Sequence, residues 1–401
     1  MGTVRTRTDD RHPSTNRLDS RPFFIEGGSF VEPRRLTFVI SQLGPGGAER
    51  VMTTLASHWA DRGWDVRLIT FDVPGERPFF DLSPAVILVP LGLRRYSHRP
   101  WEAVLNNSWR VRALRKAILT GRPDVVVSFI DQANILTLLA MVGTRIPVIV
   151  EEHGDPHEVH LGRHWRVLRR ITYRRATCVV ALTQTSLDFF PPEIRRRGRV
   201  IPNPVVAPAS RTTAGRTTQG GRIVAMGRLS PEKGFDLLLS AFAAVAPAFP
   251  DWSLEIWGEG PLRAELEQQA VRLGLDGRVS LPGLTTRPYD VFSTASLFVL
   301  SSRHEGFSNV LCEAMAAGVA VISFDCPSGP RQIIEPDVDG ILVPPEDVPA
   351  LAAAMHRLMR DDRQRRKLSD RATAIRHRFS LERVVREWEA LMTAVVRRTT
   401  P

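Results

Sequence analysis

Four short stretches carry residue types that could do chemistry on an anionic ligand rich in hydroxyls. The first is Gly227-Arg228-Leu229-Ser230-Pro231-Glu232-Lys233-Gly234, with two cations five residues apart on one loop. Arginine offers a planar fork and lysine a point charge, a pair suited to clamping a diphosphate. A solvated loop that only caps a helix would have the same composition. The second stretch, Ser301 to Gly318, holds Glu305 and Glu313 eight residues apart. Glu305 falls in a loop, and Glu313 falls inside a helix expected to begin near Ser308. The two carboxylates would therefore reach different parts of one ligand. Carboxylates accept hydrogen bonds from sugar and ribose hydroxyls. The free backbone N–H groups of Phe307, Ser308, Asn309 and Val310 suit an anion. An exposed helix with two unrelated glutamates is the plainer alternative.

The third stretch is Gly44-Pro45-Gly46-Gly47-Ala48-Glu49, which opens a helix. Glycine lets backbone approach a phosphate closely at a helix N-terminus. The stretch lacks the Lys-Ser/Thr ending of a P-loop, and a tight strand-to-helix turn accounts for it equally well. The fourth is Glu151-Glu152-His153-Gly154-Asp155-Pro156. There His153 would hydrogen-bond a sugar hydroxyl or assist proton transfer, unless it is a structural histidine.

These loops need elements to hold them. Apolar runs at Leu36–Ile40, Val66–Phe71, Ala85–Val89, Asp124–Phe129, Pro147–Val150 and Cys178–Leu182 read as short buried strands. Helical stretches such as Ala48–Arg62 and Trp101–Leu119 separate them. A second series follows at Arg222–Met226, Ser253–Trp257, Val279–Leu281, Leu297–Leu300 and Val319–Ser323. Strands that alternate with helices form parallel sheets covered on both faces. The intervening Pro202–Gly221 has linker composition. The expected organisation is an N-terminal extension at 1–33 and a first α/β domain at 34–203. A linker at 204–221, a second α/β domain at 222–380 and a C-terminal amphipathic helix at 381–401 complete it. All four stretches would follow strands, and in doubly wound sheets ligands bind beyond the strands' carboxyl ends. Two such domains facing each other leave a cleft for substrate.

Composition agrees with this reading. The chain has 401 residues, 43% apolar and 24% charged, which suits globular domains with real cores. Three scattered cysteines (Cys178, Cys312, Cys326) exclude a disulfide framework and fit a reducing compartment. The net charge is +11, and all but three of the 54 basic residues are arginine. Lys116, Lys233 and Lys367 are the exceptions, so the lysine on the diphosphate-type loop stands out. The charge predicts an anionic partner. Basic stretches lie at Arg94, Arg95 and Arg99, around Trp109–Lys116, and at Arg163–Arg175 with Trp165. They suit either an anionic membrane surface or solvent. With three tyrosines and no RRM, KH, zinc-finger or helix-turn-helix pattern, nucleic acid is not an expected partner. The first thirty or so residues are polar and lack the apolar core of a signal peptide, so they read as a disordered extension. The longest apolar candidate, Ile135–Val142, is too short to span a bilayer. The expected location is cytoplasmic, peripheral at the inner membrane's cytoplasmic face.

Taken together, these residues resemble the retaining GT-B glycosyltransferases of family 4 over roughly Leu36 to the C-terminus. The resemblance rests on G-R-x4-K-G (Arg228, Lys233) and E-x7-E (Glu305, Glu313). Gly258-Glu259-Gly260-Pro261 and Asp339-Gly340-Ile341-Leu342-Val343 also occur in the family's order. It implies two facing Rossmann-like domains, with the C-terminal helix crossing back onto the first. Arg228 and Lys233 would hold the donor diphosphate, Glu305 the donor sugar and Glu313 the ribose. Phe307 to Val310 would meet sugar and phosphate, and Gly46 and Gly47 would lie beside the phosphate near the acceptor. His153 would contact the transferred sugar, and the stretch around Leu281 to Leu284, Gly283 included, would flank the base. No metal or other cofactor is implied. No D-x-D pair stands at a strand end, and Asp9-Asp10 and Asp361-Asp362 lie elsewhere. The segment Asp325 to Ile334 is similar to the branch that includes polyprenyl-diphosphate-linked N-acetylgalactosaminyltransferases. Here Gln332 stands where many members have Glu, and Asp339 where many have Asn. The implied partners are a UDP-sugar donor and a lipid-linked or polysaccharide acceptor. The competing readings are a UDP-sugar 2-epimerase on the same fold and a non-catalytic sugar-nucleotide-binding subunit. The former needs its own acid/base carboxylates in the cleft. The latter is disfavoured by the intact Arg228, Lys233, Glu305 and Glu313.

Overall fold

The computed structural model describes residues 34–94, 100–158, 161–207 and 220–399. The expected extension at 1–33, most of the expected linker, and Arg95 and Arg99 lie outside the described residues. The first domain holds β1 (Arg35–Val39), β2 (Asp65–Thr70), β3 (Ile87–Pro90), β4 (Val125–Phe129), β5 (Val148–Glu152), β6 (Cys178–Ala181) and β7 (Gly198–Val200). They form one sheet in the order β3-β2-β1-β4-β5-β6-β7. The second domain holds β8 (Gly221–Met226), β9 (Trp252–Trp257), β10 (Val279–Gly283), β11 (Leu297–Leu300), β12 (Ala320–Phe324) and β13 (Ile341–Val343), in the order β10-β9-β8-β11-β12-β13. All the pairings are parallel. Strands buried on both faces need near-continuous apolar runs, and Val-Val-Val-Ser-Phe in β4 is wholly buried. These are the two Rossmann-like doubly wound domains that the alternation implies. β7 and β13 escape a reading by apolar runs because each is only three residues long.

Strand order reverses beside β1 and β4 in the first sheet and beside β8 and β11 in the second. A crevice opens at such a switch point, because successive crossovers leave in opposite directions. The loops after β1, β5, β8 and β11 are the four stretches singled out by their chemistry.

The C-terminal helix Leu381–Thr399 returns to the first domain. Val384, Trp388, Met392 and Val395 recur at helical spacing and are buried in the core beneath β1 and β4. Each such side chain contributes about 1.5–3 kcal/mol of burial. Trp388 stacks on Phe129 with centroids 6.2 Å apart, and Trp59 donates through Nε1 to Glu389 at 2.9 Å. Covalently this helix follows the second domain, so it straps the two together. Val205 does the same near the expected linker start. It packs in a core cluster of the second domain and donates its backbone N–H to Phe379 at 2.7 Å.

Candidate functional site

The carboxyl ends of the two sheets face each other across a cleft of about 1050 Å³ lined from both domains. From the first domain come Gly46, Gly47 and His153; from the second come Arg228, Lys233, Glu305, Phe307, Ser308, Asn309, Val310 and Glu313. All but one of the candidate catalytic and donor-binding residues thus meet in one place. Gly283 is the exception, since Leu284 and Thr285 line that end instead. Gly283 takes φ +97° and accepts the Gly258 N–H at 2.8 Å, so it shapes the loop rather than the wall.

Lys233 lies in a single turn, Pro231–Lys233, closed by Gly234 in the left-handed region at φ +60°. A side chain there would strike the Ser301 carbonyl, so only glycine lets this turn sit against the end of β11. The turn carries Lys233 Nζ to 2.8 Å from Glu305 Oε1, which also accepts from Ser302 Oγ at 2.6 Å. Burial works against the Lys233 ammonium, but the adjacent Glu305 carboxylate holds it above the usual lysine range. Arg228 behaves differently. It is exposed at the cleft, and its guanidinium has no carboxylate partner among the described residues.

The helix Asn309–Ala316 starts after Ser308 with no side chain capping its N-terminus. Ser308 is 2% exposed, and its Oγ has no hydrogen-bond partner among the described residues. A buried unpaired hydroxyl beside free backbone donors is costly unless a ligand completes it. One turn along, Glu313 is buried and paired at 2.6 Å with Arg50 of the first domain. Burial pushes its carboxyl up and Arg50 opposes that push.

Opposite stands the helix Gly47–Ala60, also without a side-chain cap. Asn309 Nδ2 donates to the Gly47 carbonyl at 3.3 Å and Asn203 Nδ2 to Asn309 Oδ1 at 2.9 Å, tying the two helix starts together. His153 stacks on Phe129 and places Nδ1 3.2 Å from buried Glu151 Oε1. A Cβ on Gly47 would lie 3.5 Å from His153 Nε2, so that nitrogen points toward the helix start at Gly47 in the same domain.

The sequence reading gave no role to Arg50, Glu49 or Glu151. Glu49 is buried, which raises its carboxyl, and its carboxylate packs against Gly46. Glu49 and Glu151 lie inside quoted stretches and Arg50 adjoins one, but nothing local shows that Arg50 meets a residue far along the chain. Gln332 lies outside the cleft lining; it is exposed and donates to Thr185 Oγ1 at 3.4 Å. Its departure from the common Glu therefore leaves the cleft wall unchanged. The basic stretch 163–175 divides. Arg169 is buried and paired with Asp131 at 3.2 Å, whereas Arg163, Arg166 and Arg170 are exposed beside exposed Val167 and Ile171. Arg94 pairs with Asp72 and Glu76, both at 3.3 Å. No group of His, Cys, Asp and Glu among the described residues is arranged to hold a metal ion.

Comparison with known proteins agrees with this architecture. Residues 45–207 match the family described as Glycosyltransferase Family 4, and residues 220–361 that described as Glycosyl transferases group 1. An exopolysaccharide phosphotransferase of Streptomyces coelicolor is 31% identical over 88% of the chain, which spans 40% of that protein's length. The lipopolysaccharide core biosynthesis glycosyltransferase LpsD of Rhizobium meliloti is 31% identical over 84% of this chain and 91% of its own. A Campylobacter jejuni N-acetylgalactosaminyltransferase acting on a diphosphoundecaprenol-linked acceptor is 28% identical over 90% and 99%. Among solved structures, Anabaena HepE in complex with UDP and glucose superposes with a TM-score of 0.73 at 19% identity, covering 90% of this chain and 99% of that one. By fold, cleft and these matches, the chain belongs to the GT-B glycosyltransferases of family 4.

Proposed function

We propose that this enzyme moves a sugar, with retention at the anomeric carbon, from a UDP-sugar to a lipid-linked or polysaccharide acceptor in cell-envelope glycan synthesis. The observation that carries the proposal is the convergence of Arg228, Lys233 and an uncapped helix start on one cleft. Two cations and oriented N–H groups stabilise the charge that grows on a leaving nucleotide diphosphate. Glu305 takes the transferred sugar from the second domain and His153 takes it from the first. The acceptor oxygen bonds to the anomeric carbon on the face from which the diphosphate leaves, and the diphosphate oxygen takes the acceptor's proton. Arg228 and Lys233 supply the positive charge that a divalent metal supplies in other transferases, so transfer is metal-independent in this reading. The UDP held in the similar HepE structure supports a UDP-linked donor, and the acceptor named for the Campylobacter jejuni relative supports a lipid-linked one.

The test is a thermal-shift screen of nucleotides followed by transfer assays with the best nucleotide sugar, with and without EDTA. UDP at 100 times its dissociation constant stabilises the fold by about 2.7 kcal/mol, GDP leaves it unchanged, and EDTA leaves transfer intact. Stabilisation by GDP alone overturns the donor class. Conversion of UDP-GlcNAc to its 2-epimer without acceptor overturns transfer.

We also place the enzyme at the cytoplasmic membrane face. No described helix is long and apolar enough to cross a membrane. The helix Arg163–Thr172 presents exposed Arg163, Arg166 and Arg170 around Val167 and Ile171. Each exposed arginine adds about 1 kcal/mol near an anionic surface. The protein is expected to float with phosphatidylglycerol vesicles at low salt and to be released at high salt, where screening is strong. Absence of flotation at low salt removes this placement.

A further inference from the structure

The ribose end of the nucleotide site is completed by the wrong domain. Glu313 stands on the second domain, yet its Oε1 is held at 2.6 Å by Arg50 from the helix Gly47–Ala60 of the first. Among the described residues Arg50 is the one cation paired with Glu313. The Arg50 guanidinium is itself positioned: it lies 5.7 Å from the centroid of the Phe80 ring, which also lines the cleft.

We infer that Arg50 is a positioning residue for nucleotide binding, which acts by holding the Glu313 carboxylate as the acceptor of the ribose hydroxyls. The inference rests on the reading of Glu313 as the ribose contact. A ribose diol offers two O–H donors and needs an ionised, acceptor-only carboxylate. Burial disfavours that form, and a nucleoside diphosphate brings further negative charge into the cleft. A cation behind the carboxylate offsets both. A carboxylate has about four lone-pair sites, so Glu313 can keep Arg50 on one oxygen while the ribose takes the other. Because Arg50 belongs to the acceptor-side domain, the nucleotide's ribose is bound through a contact that exists only while the domains are together. Donor occupancy and domain closure thereby stabilise each other.

The test needs neither the transferred sugar nor the acceptor. Dissociation constants for UDP and for 2′,3′-dideoxy-UDP are measured by calorimetry on the full chain. The proteins are the unsubstituted enzyme, Arg50→Ala, Arg50→Lys, Glu313→Ala and the Arg50→Ala/Glu313→Ala double variant. Loss of a charge-assisted hydrogen bond weakens UDP by at least about tenfold in Arg50→Ala. The dideoxynucleotide is unaffected, the double variant shows no loss beyond Glu313→Ala, and Arg50→Lys recovers most of the affinity. Equal weakening of both nucleotides means that Arg50 acts on phosphate or on the fold, and overturns the inference. Tighter UDP binding by Arg50→Ala means that Arg50 competes with the ribose, and overturns it too. If the unsubstituted protein does not distinguish the two nucleotides, the ribose reading of Glu313 fails and takes the inference with it. A protein that binds no UDP at all fails the donor assignment instead.

Discussion

Replacing Lys233 by alanine is expected to cut sugar transfer by at least ~100-fold, the scale of losing one charge-stabilising donor at a developing anion. Two effects compete in such a variant, and their sizes separate them. Lys233 is the countercharge of Glu305, whose side chain is 7% exposed, so its removal leaves a nearly buried carboxylate with, among the described residues, only Ser302 as a side-chain partner. Breaking a fully buried pair costs about 3–5 kcal/mol. The lysine side chain is 23% exposed, so solvent reduces that cost here. Domains of this kind carry about 5–15 kcal/mol, so the variant stays folded. Transfer falls for a different reason, because the leaving diphosphate loses a fixed positive charge. Glu305→Ala is expected to fall as far, through loss of the sugar contact. The double variant Lys233→Met/Glu305→Gln separates stability from catalysis. It removes both charges and their mutual dependence, so its melting temperature recovers toward that of the unsubstituted enzyme while its transfer rate does not. Rates close to the unsubstituted enzyme from a folded Lys233→Ala would overturn the assignment of the leaving-group clamp.

The parts of this site that sequence made legible are those that local chemistry announces. A lysine in a chain with almost none, set five residues from an arginine and followed by glycine, marks the diphosphate loop before any fold is known. Strand runs such as Leu297–Leu300 mark where the loops begin, because a parallel strand must be apolar on both faces. What local chemistry does not announce is pairing across the cleft. Arg50 and Glu313, Asn309 and Gly47, and Asn203 and Asn309 are far apart in sequence, and no local spacing links one member of a pair to the other. The same limit applies within one helix. Arg169 and Arg170 are neighbours in a basic stretch, yet one is buried on Asp131 and the other faces solvent. Helical phase against the core sets that difference, and composition does not carry it.

Gly306→Ala is expected to abolish most transfer by an entirely different route, leaving UDP binding and both cores in place. Gly306 lies between Glu305 and Phe307, and its α-carbon presses on the His153–Asp155 loop of the first domain. A methyl group there would sit 2.7 Å from the His153 carbonyl oxygen, 2.8 Å from the Gly154 carbonyl carbon and 3.0 Å from the Asp155 nitrogen. All three are backbone atoms, so no side chain can swing aside to relieve the overlap. The His153–Asp155 loop gives way while the Arg50–Glu313 pair keeps the two domains in contact, and His153 moves relative to Glu305. Those two residues address the sugar from opposite walls, so their separation sets the reacting geometry. A misplacement of about 1 Å costs about 100-fold in rate. The nucleotide clamp at Arg228, the loop at Lys233 and the helix start at Ser308 all belong to the second domain and move as one body. UDP affinity should therefore hold within about threefold, less than 1 kcal/mol. The discriminating measurement is the pair of values on one preparation: UDP affinity by calorimetry and the transfer rate at saturating donor. Loss of both together would point to unfolding of the Glu305–Phe307 loop rather than to separation of the two walls. Retention of full transfer would mean that His153 does not meet the sugar at all, and the first domain's share in the chemistry would have to come from the loop after β1 instead.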